Sequence, residues 1–265
     1  MAGPPTRKSK FAVEAWSSEG YGKRIIINGD TGIGKTTLAA LAPTPVWIGL
    51  DEGGREIKHP ITNKDLQRIS GVKTYEDVRE VLQNVSLFKN NKTIVVDTIT
   101  LLQDLAVDFV VRTVPTEKGK QVTNIVGYGY NKGYRHLYEA MKSILQDCDN
   151  LIHKNINVVL IAQSAIHSVP NPAGEDFLRT GLRLHRDKQW DIEGLYCEWA
   201  DHIFHIGYKD AFVSDDKKIA GDTTRVIYTQ PEVYLRAKSR TLTEDRISFE
   251  KQNDDSIWQF MFPKG

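Results

Sequence analysis

Residues Ile27–Leu41 read INGDTGIGKTTLAAL, and the spacing inside that stretch decides the fold. Gly29, Gly34, Lys35 and Thr36 fit the pattern G-x-x-x-x-G-K-[ST]. Chance produces that string in roughly one chain in a hundred of this length, so the flanks must separate a phosphate loop from a mere tight turn. Before it stands KRIIIN, a short apolar run with strand character; after it stands KTTLAALA, rich in helix formers. Strand, glycine loop and helix is the order that phosphate binding needs. The glycines let the backbone curl until its N–H groups point inward, and the helix start adds its positive end. Gly29, Asp30, Thr31, Gly32, Ile33, Gly34, Lys35, Thr36 and Thr37 are thereby predicted to cradle a nucleoside triphosphate. Lys35, on a solvent-facing loop, is expected to reach the β- and γ-phosphates, and the Thr36 hydroxyl to take one position on Mg²⁺.

Hydrolysis needs more than the loop. A second Mg²⁺ anchor belongs at the end of a nearby buried strand, and KTIVVDTIT supplies it as Asp97, which can also cap the next helix. A group must orient and deprotonate the attacking water. After the strand-like PVWIGL come Asp51 and Glu52, then a glycine pair; Glu52 is the chosen base and Asp51 the reserve. NVVLIAQ ends on Gln163, whose carboxamide is placed to touch the γ-phosphate and report its presence to the segment that follows.

At 265 residues, with 40% hydrophobic and 26% charged residues, the composition is that of a globular α/β chain with a real core. No apolar run approaches a membrane span. The start, MAGPPTRKSKF, is basic without the apolar centre of a signal peptide, so residues 1–20 read as a flexible tail. Cys148 and Cys197 lack metal or redox spacing, which implies free thiols and a cytoplasmic location. The histidines of HIFH (residues 202–205) lie in an apolar run and read as strand packing. A formal charge of +1 advertises no global basic field, so any nucleic-acid contact must come from local patches.

Strand-like runs recur at Arg24–Asn28, Pro45–Leu50, Thr93–Asp97, Asn157–Gln163 and His202–Tyr208. Helical patterns stand between them: Lys35–Leu41, Tyr75–Val85 with Thr74 as N-cap, Thr98–Val111 and Tyr134–Cys148. That alternation predicts a mostly parallel sheet covered by helices on both faces. Past residue 208 the texture turns to short β-prone pieces and polar turns, read as antiparallel hairpins, with DDSIWQFMF as a closing helix. No linker divides residues 21–265, which read as one domain. Two stretches, Val114–Gly133 and Ser164–Arg186, lack periodicity and are expected to be long functional loops.

The first of these carries Lys118, Lys120 and Lys132 with Tyr128 and Tyr130, and Tyr134 and Arg135 follow directly. Cations interleaved with aromatics suit single-stranded nucleic acid, where bases stack and phosphates pair. The second carries Arg179, Arg183, His185 and Arg186. In LRAKSR, Lys238 and Arg240 alternate at the end of a β-prone run, so two cations share a face and repel unless an anion or solvent compensates.

The phosphate loop, a Glu after the second strand, VVDT for the Mg²⁺ strand, and LIAQ opening a mobile loop together resemble the RecA-type ATPase core, over roughly residues 20–245. EWADHIFHI and the later LRAKSR are similar to the trimmed phage version of that core, the recombination ATPases that assist single-strand annealing. The resemblance implies a RecA-like P-loop ATPase using ATP and Mg²⁺ in the host cytoplasm. It also implies assembly into a homo-oligomeric ring or filament on single-stranded DNA, with a single-strand-binding protein as a candidate partner. By the same resemblance Lys238 and Arg240 reach the γ-phosphate of the neighbouring subunit. No separate oligomerisation or DNA-gathering domain is evident, which argues against full strand exchange. Two other readings stand beside it: a DNA scaffold in which ATP only joins subunits, and a RecA-like signalling ATPase that ignores nucleic acid.

Overall fold

The computed structural model describes residues 13, 15–51, 53–209, 212–213, 219–220 and 224–263. Most of the tail, Glu52, and parts of the hairpin region after residue 208 lie outside the described residues. Along the chain, β1 (Arg24–Gly29) leads through the glycine loop into α1 (Lys35–Ala40). β2 (Pro45–Gly49), α2 (Tyr75–Gln83), β3 (Thr93–Asp97), α3 (Ile99–Thr113) and α4 (Lys132–Ile152) follow. Next come β4 (Asn157–Val169), β5 (Phe177–Leu182), α5 (Ile192–Trp199) and β6 (His202–Tyr208). Short strands β7 (Phe212–Val213), β8 (Ile219–Ala220), β9 (Arg225–Tyr228), β10 (Lys238–Ser239) and β11 (Arg246–Ser248) precede α6 (Ser256–Met261).

One nine-stranded sheet runs in the order β11-β9-β6-β1-β4-β3-β2, with β10 added to β6 and β5 to β4. The pairs β1–β4, β1–β6, β3–β4 and β2–β3 are parallel, whereas β9, β10 and β11 join antiparallel. This is the expected mostly parallel sheet with antiparallel strands joined late in the chain, and β4 lies between the loop strand and the carboxylate strand.

Buried on both faces, the parallel strands read as continuous apolar runs. Ile26, Val96 and Leu160 point to the side covered by α2, α3, α4 and α5, where they meet Val78, Leu102, Met141 and Tyr196. Ile25, Ile27, Val95 and Ile161 point the other way, to Leu38 of α1 and Trp258 of α6. Each fully buried aliphatic or aromatic side chain contributes about 1.5–3 kcal/mol. Trp258 also donates its indole N–H to Leu38 O at 2.8 Å, anchoring α6 on α1. Thr74 closes a capping box with Asp77 at the start of α2, as its position predicted.

One expectation is corrected. Ser164–Arg186 is not a long loop: β4 runs on to Val169 and β5 returns antiparallel, from Val169↔Phe177 to Ser164↔Leu182. The ribbon stands off the sheet with both faces partly wet, so no clean apolar alternation marks it in the sequence. The helix α5 was not foreseen either. It has eight residues, and its fully buried Glu193 interrupts the apolar pattern. Val114–Gly133 does lack regular structure apart from a 3-10 turn at Ile125–Tyr128, and α4 begins at Lys132. Among the described residues no helix is long and apolar enough to cross a membrane.

Candidate nucleotide site

The strand register sets Gly29 beside Gln163, and Asp97 beside both Ile161 and Gly49. The loop, the carboxylate and the carboxamide thus meet at the carboxyl edge of the parallel strands, where open α/β sheets bind ligands. Gly29 is required there by space as well as by backbone, and Gly34 by its backbone. Gly29 has φ 150°, and a Cβ on it would lie 2.7 Å from Ile206 O. Gly34 has φ 109°, and its Cβ would lie 2.6 Å from the Arg225 guanidinium.

Lys35 departs from the solvent-facing position expected of it, at only 6% exposed. Its ammonium donates to Gly29 O at 2.9 Å, Asp30 O at 2.8 Å and Gln163 Oε1 at 3.0 Å. Burial lowers its pKa, Asp97 and Asp30 oppose that, and Arg183 adds to it. The Thr36 hydroxyl donates to Asp97 Oδ2 at 2.8 Å, so the two expected Mg²⁺ ligands already touch. Burial pushes the Asp97 carboxyl up to about 6; Thr36 and Lys35 pull it down and Asp51 raises it further. A hydroxyl and a carboxylate at the mouth of a glycine loop form an oxygen donor set for a hard divalent cation, which would relieve that buried anion. These residues fit Mg²⁺ and a polyphosphate. They line a cleft of about 360 Å³ that also includes Thr31, Thr37, Asp51 and Gln163.

Asp51 accepts from Gly53 N at 3.0 Å at the lip of this cleft. Gln163 Oε1, besides accepting from Lys35, lies 3.4 Å from the Thr31 hydroxyl. Ser164 donates to Asp30 Oδ1 at 2.7 Å, a second tie between loop and ribbon. Sequence reasoning missed both Ser164 and Arg225. The Arg225 guanidinium stacks 4.7 Å from the Phe249 ring and donates to Ile33 O at 3.1 Å, bracing the loop from the antiparallel strands. No local pattern marks that role, because loop and brace are 192 residues apart.

Lys118, Lys120, Lys132 and Tyr130 do come together, with Arg135 and His136, around a cavity of about 650 Å³. Lys132 pairs there with Glu117 at 2.8 Å. Tyr130 is 97% exposed, on left-handed backbone at φ 47° followed by Asn131 at φ 58°. Tyr128 is corrected. It is only 9% exposed, packs in the core and donates its hydroxyl to Val110 O and Val114 O, so it lines the cavity wall and presents no exposed ring for stacking. Arg179 lies elsewhere, over the Phe177 ring and bonded to Val233 O at 3.0 Å. Arg183 stands at the root of the ribbon, its N–H on Gln163 O.

Lys238 is corrected as well. Its ammonium donates to Cys197 O at 3.1 Å, Glu198 O at 3.3 Å and also Ala200 O, at the carboxyl end of α5. A cation there answers the exposed carbonyls and the helix dipole, so in this structure Lys238 caps a helix of its own chain and does not project from it. Arg240 pairs with Asp201 at 3.2 Å, and these partners compensate the repulsion expected of the two cations. In β6, His202 bonds Ser239 at 2.9 Å and His205 bonds Asn28 at 2.7 Å; burial pushes both imidazoles down to about 4.

Glycine loop, Thr36–Asp97 pair and mostly parallel sheet are the features of a P-loop nucleotide-binding fold. The model of the AAA domain matches residues 21–241, and the chain belongs to that family. No curated protein matches it. Among solved structures it is similar to the flagellar accessory protein FlaH from Methanocaldococcus jannaschii, at 10% identity and a TM-score of 0.45, over 87% of this chain and 86% of that one.

Proposed function

We propose that the protein is a Mg²⁺-dependent ATPase that assembles as a homo-oligomer on single-stranded DNA and promotes annealing or recombination. The observation that carries this reading is the position of Gln163. It touches Lys35 and Thr31 at the phosphate end of the site, and it is the last residue before the exposed ribbon. A change at the phosphates is therefore passed to the ribbon through the side chain at its root.

Bound ATP supplies the phosphoryl group to be transferred, and Mg²⁺ neutralises charge on it. The chain's own residues do the rest. Lys35 leaves the Gly29 and Asp30 carbonyls and turns its ammonium to the phosphates. Thr36 and Asp97 hold the cation. Asp51 or Glu52 orients the water and accepts its proton, and Gln163 tests for the terminal phosphate.

DNA binding is supported by the cavity of Lys118, Lys120, Lys132 and Arg135 with Tyr130 at its rim. A non-glycine residue in left-handed backbone is held there at a cost of about 1–3 kcal/mol. Such strain supports a ring presented for stacking on a base. Assembly is supported by an apolar strip on and beside the ribbon, where Ile166 is 70%, Leu178 64% and Val233 70% exposed. In such an assembly Arg240 is the member of the Lys238/Arg240 pair left to reach a neighbouring site. A single-strand-binding protein remains a candidate partner.

The test is the ATP turnover rate with and without single-stranded DNA at two salt concentrations. Stimulation that weakens as salt rises is expected, because Lys and Arg contacts release counterions. A rate indifferent to single strands at both concentrations overturns the DNA part and leaves a signalling-type ATPase.

A further inference from the structure

The ribbon root carries a cation that neither the basic cavity nor the Arg240 contact accounts for. In the β4–β5 ladder Ser164 pairs with Leu182, so the next rung joins Gln163 to Arg183. The Arg183 N–H closes that rung on Gln163 O at 2.7 Å. Directly opposed residues of an antiparallel ladder project from the same face, with Cβ atoms about 4.5–5.5 Å apart. Gln163 uses that face to reach Lys35 and Thr31. Arg183 therefore leaves the ribbon beside Gln163 and on the side of the phosphate loop. Leu182 and Leu184 are buried on either side of it, and Arg183 itself is exposed. Its charge is felt at Lys35, whose pKa it helps to lower. The other arginines of the segment are committed, Arg179 to Val233 O and the Phe177 ring, Arg186 to Glu193.

The geometry points to Arg183 as a phosphate-binding arginine supplied by the same chain as the loop, contacting the terminal phosphate of the bound triphosphate. This rests on the nucleotide-site reading above and adds the source of the positive charge. In hydrolysis a bond forms from the water oxygen to the γ-phosphorus as the bond to the β–γ bridging oxygen breaks. That oxygen keeps the electron pair, and the water proton passes to the Asp51 or Glu52 carboxylate. Arg183 meets the charge carried by the γ-oxygens throughout. Sitting on the rung that opens the ribbon, it also gives the ribbon a second hold on the terminal phosphate, next to Gln163.

The test uses the full chain with Arg183→Ala and Arg183→Lys. Affinities for ADP and for a non-hydrolysable ATP analogue are measured at equilibrium, alongside turnover. ADP affinity is expected to stay within about twofold of wild type. Preference for the triphosphate analogue over ADP should fall about tenfold or more, and turnover about 10³-fold, the scale of an arginine aimed at the transferred phosphoryl group. Arg183→Lys should recover part of both. Mixing Arg183→Ala with Lys35→Ala should restore no turnover, because loop and arginine belong to one chain. Wild-type preference and turnover in Arg183→Ala overturn the proposal. So does equal loss of ADP and analogue binding, which marks a structural role, and so does recovery on mixing, which marks an arginine acting between chains. Failure of the nucleotide-site reading is distinguishable, because wild-type protein itself would then bind neither nucleotide.

Discussion

At the carboxyl edge of the parallel strands, Lys35 and Asp97 are buried, Thr36 is bonded to Asp97, and the sheet behind them is backed by apolar residues on both faces. The β4–β5 ribbon, one residue beyond Gln163, has solvent on both sides and exposes Ile166 and Leu178. One strand, β4, belongs to both regions. The difference separates a rigid site that holds phosphate from a loosely held element free to respond to it. Elements with few buried contacts are the ones that open and move.

The rigid side gives the largest expected effects. Lys35→Ala should reduce ATP turnover below detection and weaken triphosphate binding by at least about 10²-fold. Because Lys35 is buried against three acceptors, circular dichroism must show that the fold is kept. ATP affinity and turnover equal to wild type would sink the phosphate-loop reading. Asp97→Asn sharpens the contrast between function and stability. Its folded-state pKa is raised, so the anion destabilises the fold at neutral pH, by an amount on the order of a few kcal/mol. The variant keeps the bond to Thr36 and should melt no lower than wild type without nucleotide, while turnover falls about 10²-fold. A clearly lower melting temperature would contradict the electrostatic account of that strand end.

Two tyrosines two residues apart separate core from contact surface. Tyr128→Ala should cost about 3–5 kcal/mol of stability, as for other large core aromatics, read by denaturant unfolding. Tyr130→Ala should leave stability unchanged and weaken single-strand affinity by about tenfold, the value of one stacked base. Removing Lys118, Lys120 and Lys132 together should instead flatten the salt dependence, by about 0.7 in log–log slope per lost phosphate contact. Binding indifferent to all four surface changes would put the contact elsewhere, with Arg179 next.

The smallest effect is in pH. His202 and His205 resist protonation in the folded state, to about 4, but accept a proton near 6.5 when unfolded. Stability should therefore fall as pH drops through that window, with Asp97, shifted the other way, cancelling one of the two protons. The net slope is about 1.4 kcal/mol per pH unit. Stability that rises on acidification from pH 6 to pH 4.5 would show that the two imidazoles are not buried neutral.

Much of the site was legible because its signals are local. The loop, VVDT and LIAQ each mark one strand end, and the parallel order brings those ends together. What escaped is set by contacts across the chain. Arg225 braces Ile33 from a distant strand, and Lys238 is consumed by the end of α5, a helix that buried Glu193 disguised. Tyr128 was read by its loop, yet the 3-10 turn folds it inward against α3 and α4. The ribbon escaped because strands wet on both faces leave no alternation to see.

The most direct test of the link between the two regions is amide hydrogen exchange of residues 164–182 in the presence of ADP and of a non-hydrolysable ATP analogue. The account predicts that wild-type protein protects the ribbon more with the analogue than with ADP, and that Gln163→Ala shrinks this difference while still binding both nucleotides. Identical ribbon exchange in the two nucleotide states of wild-type protein would contradict it.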